Sequence, residues 1–174
     1  MAEPAIAGPL SGRGRMVTTL PHFGRAILRC RDTNNAAISE RLGLELPRKA
    51  CRSTSNDTLH ALWLGPDEWL LLAENVSSAE ARVAGLSGTP CSAVDISHRQ
   101  VALGVRGVYA EAMLNTGCPL DLAAASFPIG ACARTVFHKA EIVIWRTGQD
   151  RFHVEVWRSF APYVEALLIE AESE

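Results

Sequence analysis

The chain has no apolar run approaching the roughly 18 uninterrupted residues that a membrane-spanning helix needs, so a transmembrane reading is excluded. It has no excess of either charge. Seventeen Lys and Arg face 19 Asp and Glu, a formal net of −2, and this lacks the basic footprint of a nucleic-acid binder. Metal and redox motifs are missing too. Cys30, Cys51, Cys91, Cys118 and Cys132 are odd in number and widely spaced, and no Cys-x-x-Cys occurs, so neither a zinc knuckle nor a thioredoxin motif is supported. His22, His60, His98, His138 and His153 form no His-x-x-x-His or His-Glu-x-x-His. There is no P-loop, and Gly104-x-x-Gly107 falls short of a dinucleotide fingerprint. Residues 1–14 lack the continuous apolar core of a signal peptide. They read as part of a flexible arm over residues 1–23 that orders against a partner, and a reducing cytoplasm is the default compartment.

What is present is ordinary globular material. Apolar residues are 48% of 174, and a chain this long buries roughly 70% of its unfolded surface. The expected organisation is one domain over residues 24–174, divided into two lobes at about 24–90 and 91–174. Arg25–Arg31 alternates, with Ala26, Leu28 and Cys30 on one face, and reads as a strand. A short helix follows, with caps at Asp32 to Asn35 and a stop at Gly43. Arg48 to Asp57 reads as a loop. Thr58–Leu64 and Trp69–Ala73 flank Gly65-Pro66-Asp67-Glu68, a hairpin signal. Ser77 and Glu80 form a capping-box pattern for the next helix.

The second half repeats this order. Strands at Ser92–Ile96 and Val101–Arg106 precede a helix carrying Ala110, Met113 and Leu114, stopped by Gly117. A punctuated connection runs from Cys118 to Gly130. Strands at Arg134–His138, Glu141–Arg146 and Arg151–Val156 follow, and Ser159 caps a last helix with a Phe160, Val164, Leu167, Leu168 stripe. Trp63 is matched with Trp145, Asp67 with Asp150, and Trp69 with Phe152. Each half is then a strand, a helix, a hairpin and a helix, with one apolar sheet face to cover, so an α+β architecture follows.

Candidate chemistry is thin. Asp95, Ser97 and His98 invite a hydrolase reading, yet on an extended strand Asp95 and Ser97 point one way and His98 the other. A triad needs the imidazole against the hydroxyl with the acid behind it, and no Gly-x-Ser-x-Gly elbow is present. His138 and His153 lie on expected neighbouring strands, where a pair would meet. Arg158 stands at a helix start, where free N–H groups attract anions. Trp and Arg are enriched at interface hot spots. Asp67, Trp69, Trp157, Arg158, Phe160 and Tyr163 are therefore the candidate partner contacts.

LWLGPDEWLLLA (Leu62–Ala73), VDISHR (Val94–Arg99), GCPLDL (Gly117–Leu122) and VEVWRSFAPYVEALL (Val154–Leu168) together resemble the gamma subunit of heterotetrameric sarcosine oxidase. The similarity runs from about Gly24 to about Glu170. VRGVYAEAMLNTG (Val105–Gly117) is similar to a segment of the tetrahydrofolate-binding domain of the glycine-cleavage T protein. The resemblance implies an α+β fold of tandem ferredoxin-like units. It implies a complex that oxidatively demethylates sarcosine to glycine, giving hydrogen peroxide and 5,10-methylenetetrahydrofolate. It also implies that FAD, FMN, NAD, tetrahydrofolate and zinc belong to the other subunits. This chain would then be a cofactor-free, non-catalytic gamma subunit packed on the alpha subunit, with beta and delta subunits completing the assembly. The alternatives are a stand-alone folate-binding or folate-dependent protein of the T-protein type, and a hydrolase using Ser97 and His98.

Overall fold

The structure, a computed structural model, describes residues 16–31 and 35–172. These form two compact units, His22–Arg99 and a second made of the residues up to Pro21 with those from Gln100 onward.

In the first unit, β2 (Gly24–Cys30), α1 (Asn35–Leu42), β3 (Ser53–Ser55), β4 (Leu59–Gly65), β5 (Glu68–Ala73), α2 (Val76–Gly85) and β6 (Cys91–Asp95) follow in order. The sheet is antiparallel in the order β3-β4-β5-β2-β6. Alternation in β2 puts Ala26, Leu28 and Cys30 in a core with Leu59, Ala61, Trp69 and Leu71, covered by Ile38, Leu42 and Ala79 of the helices. The expected caps Asp32 to Asn34 lie outside the described residues. Gly43 ends α1 at φ +64, a conformation that costs glycine little.

Three local expectations are corrected here. Ser53–Ser55 is a strand rather than loop, because its backbone pairs with β4 (Thr54 opposite Ala61). Short and polar, it suits a sheet edge. Helix α2 is capped by Asn75, whose side chain accepts from Ser78 N at 2.9 Å, rather than by Ser77. The opposite sheet face, carrying Leu62, Leu70 and Leu72, is also out of solvent, so both faces of this sheet are apolar.

In the second unit, β7 (Gln100–Arg106), α3 (Ala110–Asn115), β8 (Cys132–Phe137), β9 (Ala140–Gly148), β10 (Arg151–Trp157) and α4 (Ala161–Glu172) follow in order. The sheet order is β1-β7-β10-β9-β8, where β1 (Val17–Thr19) comes from the start of the described chain. Leu103, Val105, Ile142, Ile144, Phe152 and Val154 meet Met113, Leu114, Val164 and Leu168 in its core. Two boundaries therefore change. The lobes divide near residue 99 rather than 90, because β6 pairs with β2 in the first sheet. Val17–Thr19 is no arm, since it pairs with Leu103–Val105 of β7. Residues 1–15 of the expected arm lie outside the described residues.

The units are two copies of one plan. Omitting β3, the first reads β-α-β-β-α-β, the order of a ferredoxin-like unit. The second has the same strand order with β1 standing where β6 stands. Individual bonds repeat. Cys30 N donates to Asp67 O at 3.0 Å, and Gly107 N to Asp150 O at 2.9 Å. Ile96 N donates to Arg25 O, and Leu20 N to Ala102 O, both at 2.8 Å. Asp67 thus matches Asp150 and Trp69 matches Phe152, but Trp63 matches Arg146 and not Trp145. Trp63 pairs across the hairpin with Trp69, and Arg146 with Phe152, each just before a register shift. Trp145 is one residue off and faces the other side of its sheet.

That substitution of Arg for Trp organises the loop from Cys118 to Gly130. The Arg146 guanidinium lies 4.7 Å from the centroid of the Phe152 ring. It donates to the carbonyls of Leu122 (3.0 Å), Phe127 (2.9 Å) and Gln149 (2.8 Å), and pairs with Glu111 at 3.2 Å. Its side chain is only 3% exposed, so its donors hold carbonyls that water does not reach easily. Arg146→Met should cost about 3–5 kcal/mol, the usual range for breaking a buried charged network. Urea denaturation of the purified chain checks it. Arg146→Lys should recover little, because an ammonium lacks the fork.

Candidate functional site

The polar residues that invited a hydrolase reading are engaged in holding β6 to β2. Ser97 is fully buried. Its hydroxyl donates to Asp95 Oδ1 at 2.5 Å and accepts from Arg25 N at 2.9 Å. Asp95 Oδ1 also accepts from Ser97 N at 3.1 Å. His98 is exposed, and its ring lies 5.9 Å from that of His22. The acid therefore sits on the serine, and the histidine turns to another ring. This is a strand-end clasp, not a triad.

His138 and His153 do not meet. His138 occupies the β8–β9 turn at φ +50 and packs edge-on to Phe137. His153 lies in β10 opposite Trp145, bonding Glu155 at 2.7 Å. The β8 residue in line with it is Cys132, which also pairs with Trp145. Among the described residues no group of three His, Cys, Asp or Glu is placed to hold a metal ion.

A shallow depression of about 280 Å³ lies in the first unit between the end of α2 and β6, lined by Val83, Leu86, Thr89, Cys91 and Ala93 among others. A ligand pocket is an enclosed, mostly apolar cleft with a few aimed polar groups, and this open depression carries no charged side chain in its lining. Burial pushes the Cys91 thiol up, partly offset by the Arg41 charge.

The candidate contact residues divide by burial. Trp69 is 1% exposed, and its Nε1 donates to Pro47 O at 2.9 Å. It is a core residue, which corrects its placement among the contacts: strand alternation aims it at α1 and α2. Asp67 is exposed in the hairpin turn and pairs with Arg29 at 3.3 Å, a surface ion pair worth little by itself. Trp157 (36%), Phe160 (43%) and Tyr163 (39%) are all exposed, beside exposed Arg158. They cluster where β10 turns into α4. Sequence reasoning missed other exposed apolar side chains, among them adjacent Val108 and Tyr109. The signal for that pair was two apolar residues straight after Gly107, which has φ +107.

The profile of the sarcosine oxidase gamma subunit family matches residues 30–174. The chain belongs to that family. The gamma subunit of sarcosine oxidase from Corynebacterium sp. strain P-1 is 32% identical over 141 residues, covering 80% of this chain and 70% of that one. The Arthrobacter sp. gamma subunit is 31% identical over 142 residues, with the same coverage. A chain of the heterotetrameric sarcosine oxidase from Corynebacterium sp. U-96, solved with pyrrole 2-carboxylate, superposes with a TM-score of 0.83 at 27% identity, covering 90% of this chain and 83% of that one. The glycine-cleavage aminomethyltransferase T of Bartonella henselae superposes at 0.58 with 18% identity, over 88% of this chain and 45% of that one. At that identity the likeness shows the shared fold alone.

Two outcomes follow from this geometry. Ser97→Ala should lower stability by about 1–2 kcal/mol, because Arg25 N loses a buried acceptor, and denaturant melts of wild type and variant measure it. Alkylation at pH 8 should modify Cys51, which is exposed, well before Cys91, whose thiol resists ionisation. Peptide mass spectrometry over a time course gives the order.

Proposed function

We propose that this chain is the non-catalytic gamma subunit of a heterotetrameric sarcosine oxidase, a part that supports a larger flavin-bearing companion. The carrying observation is the superposition on a chain of that complex across 90% of this chain at a TM-score of 0.83. The assembly oxidises sarcosine to glycine with release of hydrogen peroxide, and in the presence of reduced folate captures the one-carbon unit as 5,10-methylenetetrahydrofolate. FAD, FMN, NAD, folate and zinc sites reside on the other subunits, and this chain carries none of them. It sits directly on the alpha subunit, in the cytoplasm, with beta and delta subunits completing the complex.

Two features support a supporting rather than a reacting role. The Asp95–Ser97 and Arg146 groups are already bonded within their own units. Exposed aromatic side chains, which a monomer has little use for, stand together at the start of α4. Asp67, Trp157, Arg158, Phe160 and Tyr163 are the contact residues of this reading. Family membership favours it over a stand-alone folate-binding protein.

Co-expression with the larger subunits tests it. The tagged chain should elute with them as one species showing flavin absorbance. Omitting the chain should lower the yield or thermal stability of the flavin-bearing subunit. Elution of the chain alone, with oxidase assembly and turnover unchanged in its absence, would refute the reading.

A further inference from the structure

We infer that the exposed aromatic ridge where β10 turns into α4, Trp157, Phe160 and Tyr163, seats this chain in an apolar groove of the companion subunit, with a carboxylate of that groove meeting Arg158. The inference rests on the subunit reading above and adds which face docks, in which polarity.

The duplication supplies an internal control. Ala79 N bonds Asn75 O at the start of α2, and Val164 N bonds Phe160 O at the start of α4. Val164 thus corresponds to Ala79, and both are buried. Phe160 corresponds to Asn75, Tyr163 to Ser78 and Leu167 to Arg82. In α2 these places are polar and occupied locally. The Asn75 side chain caps Ser78 N at 2.9 Å, and Arg82 donates to Leu42 O at 2.6 Å. In α4 the first two of these places hold exposed aromatic rings, while Leu167 packs partly against the core of its own unit. The fold does not require apolar residues there, because the other copy does without them.

Phe160 also forgoes something. The residue before a helix is favoured as Asn, Asp, Ser or Thr, because such a side chain satisfies an orphan N–H. A phenylalanine there gives up that bond and leaves its own ring 43% exposed. Helix α4, APYVEALLIEAE, has no basic residue and only three acidic ones. A helix apolar on most of its circumference is one that is covered. Phe160 and Tyr163 stand at i and i+3, neighbours on one face as anchors of a helix laid in a groove are.

Charge gives the direction. Arg158 is the one cation from Trp157 to Glu172, at the end where the helix dipole is positive, and Glu165 and Glu170 lie further along. The groove that fits is therefore acidic at the Trp157 end and neutral or basic at the other. Rings of this type bury 150–250 Å² each, so their exposed fractions offer about 250 Å². That is the size of a hot-spot centre within the roughly 800 Å² that one partner contributes to a standard interface.

The test rewrites α4 toward α2. In Phe160→Asn with Tyr163→Ser, the helix gains a cap, so the thermal midpoint of the isolated chain should hold or rise by a few degrees. Association with the co-expressed larger subunits, read by titration calorimetry or by elution, should weaken at least tenfold. Arg158→Glu alone should weaken it as well, and most at low salt. Undiminished assembly of the double variant, with wild type assembling normally, overturns the proposal and leaves the subunit reading intact. Failure of wild type itself to assemble overturns both. Self-association of the isolated wild-type chain that the double variant abolishes would assign the ridge to a second copy and overturn the named occupant. Weakening by Tyr109→Ser in place of the α4 variants would move the seat to the other end of β10 and overturn it too.

Discussion

Each unit depends on burial of the helix-facing side of its antiparallel sheet. In the first, Leu28, Trp69 and Leu71 meet Ile38 and Leu42. In the second, Val105, Phe152 and Val154 meet Leu114, Val164 and Leu168. At about 25 cal/mol per Å², each of these side chains contributes roughly 2 kcal/mol when taken from water. A unit of under a hundred residues has few of them to spare. The hairpin register decides which residues join. A slip by one would send Trp69 and Phe152 to the opposite face, and the backbone bonds that Cys30 N and Gly107 N donate to Asp67 O and Asp150 O hold that register.

The two copies then diverge only where the common core permits it. Trp63 and Arg146 occupy one structural position beside an aromatic partner, Trp69 or Phe152. A tryptophan there extends the core. An arginine there reaches past it and gathers the loop carbonyls of Leu122 and Phe127. The loop is braced by its own turn as well. Asp121 accepts from Ser126 Oγ at 2.5 Å and Ala123 N at 3.0 Å, which holds its carboxyl below the usual range. That bracing is present above the ordinary carboxylate pKa and is lost as pH falls through the lowered value.

Most strands were legible because alternation and turn chemistry agree. Gly65-Pro66-Asp67 and Gly148-Gln149-Asp150 mark both β4–β5 and β9–β10, and Ala26, Leu28 and Cys30 mark the buried side of β2. Tertiary pairing was not legible. Ser53–Ser55 carries no apolar period and is a strand only because β4 offers an edge. Val17–Thr19 is three residues long, and its partner Leu103–Val105 lies more than eighty positions away. The lobe boundary moved for the same reason, since β6 looks like the start of the second half until its pairing with β2 is seen. Surface exposure of the candidate contact residues was legible in part. Trp157, Arg158, Phe160 and Tyr163 are where the aromatic and Arg pattern put them, on the surface. Trp69 is not, because a strand residue two places from a turn can face either way, and only the register decides.

The divergence of the copies also bears on where this sequence is free to vary. Building a site needs polar groups left over after the backbone is satisfied. Here Ser97 and Asp95 close the end of β6, and Arg146 closes the 118–130 loop. His153 and Glu155 bond each other in the sheet. With those groups committed inside their own units, the freedom left to the sequence lies on the outside, where α2 and α4 share a fold position and differ in surface. α2 carries half-buried Ser78 and Arg82, the latter bonded to Leu42 O. α4 presents Phe160 and Tyr163 at the cost of a helix cap, and a chain bears such a cost when something other than water completes the surface.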